Sequence, residues 1–147
     1  MTLDNFIQQN VSRKKRLFLL IISSIGWALV AAGVMVTSLT INDIVAYWKL
    51  SKVFSAVMAS STFFGMIAGA VSSGLISDTF GRKNSCVIFS FIFTLFSFLG
   101  GVASTPEMFL TFRIIAGFGM GGLLPALNTY LAEFLNISIR GMYLVLL

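Results

Sequence analysis

Four long apolar runs dominate this sequence and restrict what it can fold into; they cover residues 17–41, 53–76, 85–103 and 108–134. A helix needs about 20 residues to cross the hydrocarbon core of a bilayer, and each run is about that long. Only helices and closed barrels satisfy their backbone polar groups in lipid. Barrel strands would alternate polar and apolar residues, which stretches such as VIFSFIFTLFSFLG do not. We therefore expect an all-α polytopic membrane protein with four complete transmembrane helices.

The composition supports the same class of protein. Hydrophobic residues make up 57% of the 147 residues and charged residues only 10%, whereas a soluble domain carries about 25% charged residues. A further apolar stretch, GMYLVLL at residues 141–147, is typical of the start of a fifth span. Because the sequence ends there, it indicates either a truncated product or an incomplete record.

The basic cluster at residues 13–16 predicts the orientation of the chain. The apolar run that follows is longer than the core of a cleaved signal peptide, which is about 7–15 residues, so we expect an uncleaved first helix. The positive-inside rule then places the N-terminus, and the loop containing Arg82 and Lys83, in the cytoplasm. The net charge of +5 needs no nucleic acid, because basic residues beside a membrane helix usually meet anionic lipid headgroups. We expect a multi-pass protein of the cell membrane.

Histidine is absent from the sequence and Cys86 is its one cysteine. This composition excludes a metal cluster built from histidine and cysteine, and it excludes an internal disulfide. The spans also contain no plausible pair of nucleophile and base. We therefore expect no enzymatic activity and no cofactor.

Small residues recur at intervals of four in the second run, at Ser61, Gly65, Gly69 and Ser73. Such residues share one face of a helix and let another helix approach closely. The pattern favours helix packing over a role in lining a substrate path.

Arg113 lies inside the fourth run, roughly 9 Å from its start at 1.5 Å per residue. An arginine that faced lipid at this depth would cost a few kcal/mol, so we expect it to face a partner or a wet cavity. Snorkelling to the interface is the alternative. Glycines and a proline follow, which predict either a flexible or a tightly packed helix with a kink; we single out Gly117, Gly119, Gly121 and Pro125.

A charged island, GLISDTFGRK at residues 74–83, separates the second and third runs. Two further charges fall on the same predicted side of the membrane: Glu133 at the inner end of the fourth run and Arg140 beyond it. Opposite charges that lie close together at a low-dielectric interface attract one another. We therefore interpret this set as a latch that can hold one end of a helix bundle and release it.

These residues together resemble the motifs of the major facilitator superfamily of secondary transporters. The first motif lies between spans two and three and comprises Gly74, Asp78, Gly81, Arg82 and Lys83. The second lies in span four and comprises Arg113, Gly117, Gly119, Gly121 and Pro125. The stretch from Tyr130 through Glu133 to Arg140 is similar to that following span four in sugar- and organic-acid-carrying branches. The wider sequence resembles prokaryotic metabolite permeases of the niacin type.

The resemblance implies a twelve-helix transporter of two six-helix halves, which works by alternating access around a site at the midplane. The chain would be most of the N-terminal half and would carry a small metabolite of the organic-acid or sugar class. Asp78 would be the acid of the inner gate, with Arg82 and Lys83 as its basic companions. Gly74 and Gly81 would permit a close approach and a tight turn.

The resemblance also implies that Arg113 faces the cavity and that Glu133 and Arg140 complete the inner charge network. The sequence departs from the family pattern at Thr79 and Asn136, and its first span contains no acid. Coupling to protons through this half is therefore not predicted.

Just over four spans cannot enclose a cavity between two halves. We expect a piece of a larger permease, with the missing half or a copy of itself as partner beside the lipid and a small-molecule substrate. The alternative is an independent four-helix membrane protein that assembles as an oligomeric efflux or structural subunit.

Overall fold

The computed structural model describes the backbone of residues 13–134 and the side chains of residues 17–132. This part of the chain is helical and contains no strand. The helices are α1 (Arg13–Tyr47), α2 (Lys52–Phe80), α3 (Arg82–Gly101) and α4 (Pro106–Phe134). All four are long and apolar enough to cross a membrane, so the predicted all-helical membrane fold is confirmed. The predicted start of a fifth span, at residues 141–147, lies outside the described residues.

Hydroxyl side chains mark where two of the helices begin. The backbone N–H of Phe54 donates to Ser51 Oγ at 3.3 Å, ahead of α2. The N–H of Met108 donates to Thr105 Oγ1 at 3.3 Å, in the first turn of α4. Each bond satisfies one of the N–H groups that a helix start leaves without an intrahelical acceptor.

Consecutive helices run in opposite directions, so the bundle has two ends. The ring of Trp48, after α1, lies 5.9 Å from the ring of Phe109, near the start of α4. We call this the Trp48 end. The opposite end carries the turn from α2 to α3 and the C-terminus of α4, and we call it the Asp78 end.

Helix α4 is the central element of the bundle. It makes its most extensive contacts with α2 and α3 and fewer with α1. It is also the most buried of the four spans, whereas α1 is the least buried. Its buried side chains include Met120, Leu123 and Leu127, which pack with Val30 of α1 and Phe89 of α3 in one apolar cluster.

The contact between α2 and α4 joins backbone to backbone. A Cβ atom placed on Gly65 or Gly69 of α2 would collide with backbone atoms of α4. In return, a Cβ atom on Gly117 or Gly121 of α4 would collide with the backbone carbonyls of α2. All four residues of the predicted small-residue face are buried. The prediction that this face serves helix packing is therefore confirmed.

The remaining glycines of α4 face α3. A Cβ atom on Gly119 would lie 2.5 Å from the backbone nitrogen of Phe93, and one on Gly122 would collide with the ring of Phe89. The sequence left open whether the α4 glycines indicate flexibility or close packing. The structure shows close packing on two opposite faces of the helix.

Gly81 alone joins α2 to α3. Its φ of 83° and ψ of 153° place it in a region of backbone conformation that only glycine adopts readily. Its N–H donates to the carbonyl of Ser77 at 3.0 Å, and its own carbonyl accepts from the N–H of Ser85 at 3.1 Å. The same residue therefore ends one helix and begins the next. Gly74, by contrast, would meet no described atom within 4 Å if it carried a Cβ, so no close approach is seen there.

The two glycines of this motif should respond differently to alanine. We expect Gly81→Ala to lower the free energy of unfolding by about 1–3 kcal/mol, because alanine is strained in this conformation. Gly74→Ala is the matched control, and it should be neutral or stabilising by up to about 1 kcal/mol, since alanine favours a helix interior. Unfolding of each variant in mixed detergent micelles measures both effects. Equal effects at the two positions would contradict this account of Gly81.

Candidate functional site at the α1–α4 seam

Arg113 points from α4 towards α1. Its Nη1 donates a hydrogen bond to Thr37 Oγ1, and its Cζ atom lies 4.9 Å from the centre of the Phe109 ring. Thr37 and Phe109 are both buried. Of the two alternatives left by the sequence, the structure shows an arginine in contact with a neighbouring helix and an aromatic face. Its functional role remains a prediction.

Thr37 is arranged to accept this bond. Its hydroxyl donates to the carbonyl of Gly33 at 2.8 Å, so its oxygen is left to accept from the guanidinium. The Nε atom of Arg113 is buried and has no hydrogen-bond partner among the described residues. Because a guanidinium carries five N–H donors in a planar fork, Arg113 retains donor capacity for a further acceptor.

A second polar contact joins the same two helices nearer the Asp78 end. Trp27 Nε1 of α1 donates to Asn128 Oδ1 of α4 at 3.2 Å. Neither residue was predicted from the sequence, although an amide inside an apolar run is a recognised signal for a helix contact in membranes. We call the set formed by Trp27, Thr37, Arg113 and Asn128 the α1–α4 seam.

Apolar packing separates the two polar contacts of the seam. Val30 and Leu123 are buried in the apolar cluster. A Cβ atom on Gly33 would lie 2.8 Å from the side chain of Met120, and one on Gly26 would lie 2.8 Å from Leu127. The seam thus brings α1 close to α4 and has one polar contact towards each end.

The predicted gate residues lie at the Asp78 end, away from Arg113. Asp78 Oδ1 lies 3.5 Å from Arg82 Nη2, and the side chains are 72% and 36% exposed. Arg82 Nη1 also donates to Ser77 Oγ at 3.4 Å, and Lys83 is exposed. An ion pair with this exposure contributes about 0–1 kcal/mol to stability. The contribution of this ion pair to holding the ends of α2 and α3 together therefore depends on the other contacts that Asp78 and Arg82 make.

The remaining members of the predicted charge network are not described. The side chain of Glu133 and all of Arg140 lie outside the described residues, so the network stays a prediction. A small niche of about 30 Å³ places Arg82 beside α4. It is lined by Ser73, Gly74, Ser77, Arg82, Pro125, Ala126 and Thr129. Pro125 thus lies in α4 at the level of the predicted gate residues, whereas Arg113 lies nearer the Trp48 end.

Within the described residues, no group of three or more histidine, cysteine, aspartate or glutamate side chains could hold a metal ion. The polar groups of the α1–α4 seam are a guanidinium, a hydroxyl, an indole and an amide. Such groups can bind and orient a polar molecule.

Four membrane-spanning helices with two polar contacts across one interior seam define a multi-pass membrane protein. Residues 4–147 match the family described as sugar (and other) transporter. The chain belongs to this family of the major facilitator superfamily, whose members are transporters and not enzymes.

Individual relatives are 33–40% identical to the chain over the parts that align. A niacin transporter of Acinetobacter baylyi is 33% identical over 88% of the chain and 29% of the relative. A protein of Bacillus subtilis described as a putative niacin/nicotinamide transporter is 33% identical over 95% of the chain and 34% of the relative. A gentisate transporter of Corynebacterium glutamicum is 40% identical over 58% of the chain and 19% of the relative. No solved structure matches the chain.

The chain therefore spans about a fifth to a third of the length of these curated relatives.

Proposed function

We propose that the chain forms part of a secondary transporter that carries a small organic acid across the cell membrane by alternating access. The observation that supports this proposal best is Arg113, a cation held inside the bundle against α1 with a donor still unused. An arginine within a membrane span is costly unless it has a partner or a function. Its contact with one neutral hydroxyl leaves its positive charge without an opposite charge at that contact.

The chemistry of arginine supports an organic acid as the substrate. A guanidinium binds a carboxylate through two parallel hydrogen bonds, and these bonds are stronger than those between neutral groups. One relative is named for niacin and another for gentisate, which both carry a carboxylate, and a third is named for niacin together with nicotinamide. Arg113 would bind that carboxylate beside Phe109, whose ring already covers one side of the guanidinium.

The two ends of the bundle would have different tasks in alternating access. Arg113 would hold the substrate, while the gate residues at the Asp78 end would close the path to the cytoplasm. In this proposal Asp78, Arg82 and Lys83 act together with Glu133 and Arg140. The basic cluster at residues 13–16 supports a cytoplasmic N-terminus, which places the Asp78 end inside.

We further propose that transport requires more helices than the four that the structure describes. The chain spans only about a fifth to a third of the length of its relatives, and the four described spans leave one side of the seam without a second wall. The additional helices would come from a longer product of the same gene, from a separate chain or from a second copy.

The experiment that tests the proposal compares niacin with nicotinamide, which differ chiefly in carrying a carboxylate or a neutral amide. Uptake of each labelled compound is measured in vesicles that contain the chain alone, and in vesicles that contain the chain together with the additional helices proposed above, which we call the extended protein. We expect at least about tenfold faster uptake of the carboxylate at equal concentration, because one charged hydrogen bond contributes about 1.5–3 kcal/mol. Equal uptake of both compounds, or uptake of a sugar alone, would contradict the proposed substrate class.

A further inference from the structure

The last turns of α1 carry an open pocket at the Trp48 end of the bundle. It is lined by Asp43, Ile44, Tyr47 and Trp48, and its volume is about 330 Å³. A volume of this size lies within the usual range of small-molecule sites. Only Trp48 has entered the description so far, and none of the four residues belongs to the polar pairs of the α1–α4 seam or to the predicted gate. The pocket is therefore a candidate site of its own.

Two aromatic side chains line this pocket. The rings of Tyr47 and Trp48 lie 6.2 Å apart, centre to centre, and are inclined at 60° to one another. Trp48 also packs against Phe109 of α4, which restrains its ring, whereas Tyr47 is 82% exposed and accessible to a ligand. The face of a tyrosine or tryptophan ring attracts a cation that lies within about 6 Å of its centre.

The charges of the pocket also favour a cation. Asp43 is exposed, and it makes no ion pair with another described residue. The last turn of α1 contains no basic residue, and the C-terminal end of a helix dipole is negative. A carboxylate, two aromatic rings and a helix C-terminus therefore all attract a positively charged group to the same place.

The position of the pocket along α1 indicates that this group belongs to a lipid. The candidate span from Leu17 to Tyr47 has 31 residues, which is about 46 Å at 1.5 Å per residue. The hydrocarbon core of a bilayer is about 30 Å thick, so a helix of this length extends about 8 Å beyond the core at each end when it is placed symmetrically. The pocket then lies among the lipid headgroups, where tyrosine and tryptophan are enriched.

Two exposed lysines, Lys49 and Lys52, follow the pocket in the sequence. Lys49 has a φ of 51°, a left-handed conformation that glycine usually adopts at a helix C-terminus. The N–H of Leu50 donates to the carbonyl of Val45 at 3.1 Å, and the N–H of Lys49 donates to the carbonyl of Ala46 at 3.3 Å. These are the hydrogen bonds of a Schellman motif, with lysine at the glycine position. An ammonium group at the headgroup level can pair with a lipid phosphate.

We propose that this pocket binds the headgroup of phosphatidylethanolamine. The lipid ammonium lies against the rings of Tyr47 and Trp48 and donates hydrogen bonds to Asp43, and the lipid phosphate contacts Lys49. Phosphatidylcholine has a positive group without an N–H donor, and phosphatidylglycerol has a phosphate without an ammonium, so neither makes the full set of contacts. The site does not depend on the transport function proposed for Arg113.

The first experiment measures lipid binding to the 147-residue chain in detergent micelles. A lipid that binds the folded protein raises its melting temperature with increasing concentration, and the titration gives an apparent affinity. We expect phosphatidylethanolamine to bind at least about fivefold more tightly than phosphatidylcholine or phosphatidylglycerol, because it alone donates hydrogen bonds to a carboxylate. Equal responses to the three lipids would overturn the proposal.

Free phosphoethanolamine tests the source of the ammonium group. It carries the same headgroup without acyl chains, and we expect no change in Tm at the concentrations at which the lipid acts. If it raises the Tm as much as the lipid does, the pocket takes a soluble amine and the lipid assignment is wrong.

The second experiment uses a matched pair of acid substitutions. Glu107 is also exposed and lies in the first turn of α4, at the Trp48 end, but it does not line the pocket. Asp43→Asn should weaken binding of phosphatidylethanolamine about five- to tenfold, and Glu107→Gln should leave it within about twofold of the wild type. Equal losses would mean that the lipid responds to the general charge of this end, which would overturn the site.

The third experiment tests the aromatic wall at its exposed member. Tyr47→Leu should weaken binding about threefold, and Tyr47→Phe should keep the wild-type affinity because it keeps the ring. Phe98→Leu is the matched control, since Phe98 of α3 is 71% exposed near the same end of the bundle and does not line the pocket. Wild-type affinity in Tyr47→Leu, or the same loss in Phe98→Leu, would overturn the role of the ring.

Discussion

Gly121→Ala is expected to lower the free energy of unfolding of the bundle by about 3 kcal/mol, at the upper end of the usual range for overpacking. The added Cβ would collide with the backbone of Met66, and the neighbouring atoms include its carbonyl oxygen and its Cα. Backbone atoms inside a helix cannot rotate away as a side chain can. Relief therefore requires α2 and α4 to separate, and this loosens the most extensive helix contact of the bundle.

Gly100→Ala provides the matched control for this prediction. Gly100 also lies in a helix, near the end of α3, and a Cβ atom there would meet no described atom within 4 Å. Each substitution removes one helical glycine, and the gain in helix preference is about 1 kcal/mol in a helix interior, as at Gly121, and smaller at Gly100 in the last turn of α3. Unfolding in mixed micelles, followed by circular dichroism, measures both variants. A loss for Gly121→Ala no larger than that for Gly100→Ala would show that α2 and α4 do not pack as closely as described.

The sequence was sufficient to predict the helices and one of the helix faces on which they pack. Long apolar runs fix the number of spans, and small residues four apart in α2 mark a face that another helix can approach. The glycines of α4 were harder to interpret. Because glycines occupy positions 117, 119, 121 and 122, no single stripe stands out, and Gly122 was not singled out at all. Only the fold shows that they divide between α2 and α3.

The polar contacts of the α1–α4 seam could be predicted only in part. The depth of Arg113 in an apolar run indicates that it needs a partner, but not which one. Thr37 gives no sign of being that partner, since a threonine in a helix commonly bonds its own preceding turn, as Thr37 does with Gly33. Trp27 and Asn128 lie 101 positions apart, and no local pattern connects them. Such pairings depend on how α1 lies across α4, which only the tertiary structure determines.

The largest expected effect on transport follows from removing the guanidinium of Arg113. In the extended protein, Arg113→Ala should reduce uptake of niacin by about 10- to 100-fold, because a charge-assisted hydrogen bond contributes about 1.5–3 kcal/mol and 1.4 kcal/mol corresponds to a tenfold change. Uptake of nicotinamide, which lacks the carboxylate, should change much less. The same vesicle assay with both labelled compounds measures the two effects side by side.

Two further variants separate the charge of Arg113 from its geometry and from general damage. Arg113→Lys keeps the positive charge but loses the planar fork, so it should recover only part of the niacin uptake.

Asp78→Asn removes the acid of the proposed gate at the other end of the bundle. It should slow uptake of both compounds equally, because a gate acts on every substrate. If Arg113→Ala and Asp78→Asn both transport niacin at the wild-type rate, neither residue has the role proposed for it. If Arg113→Ala slows both compounds equally, the arginine supports the fold of the seam and does not recognise a carboxylate.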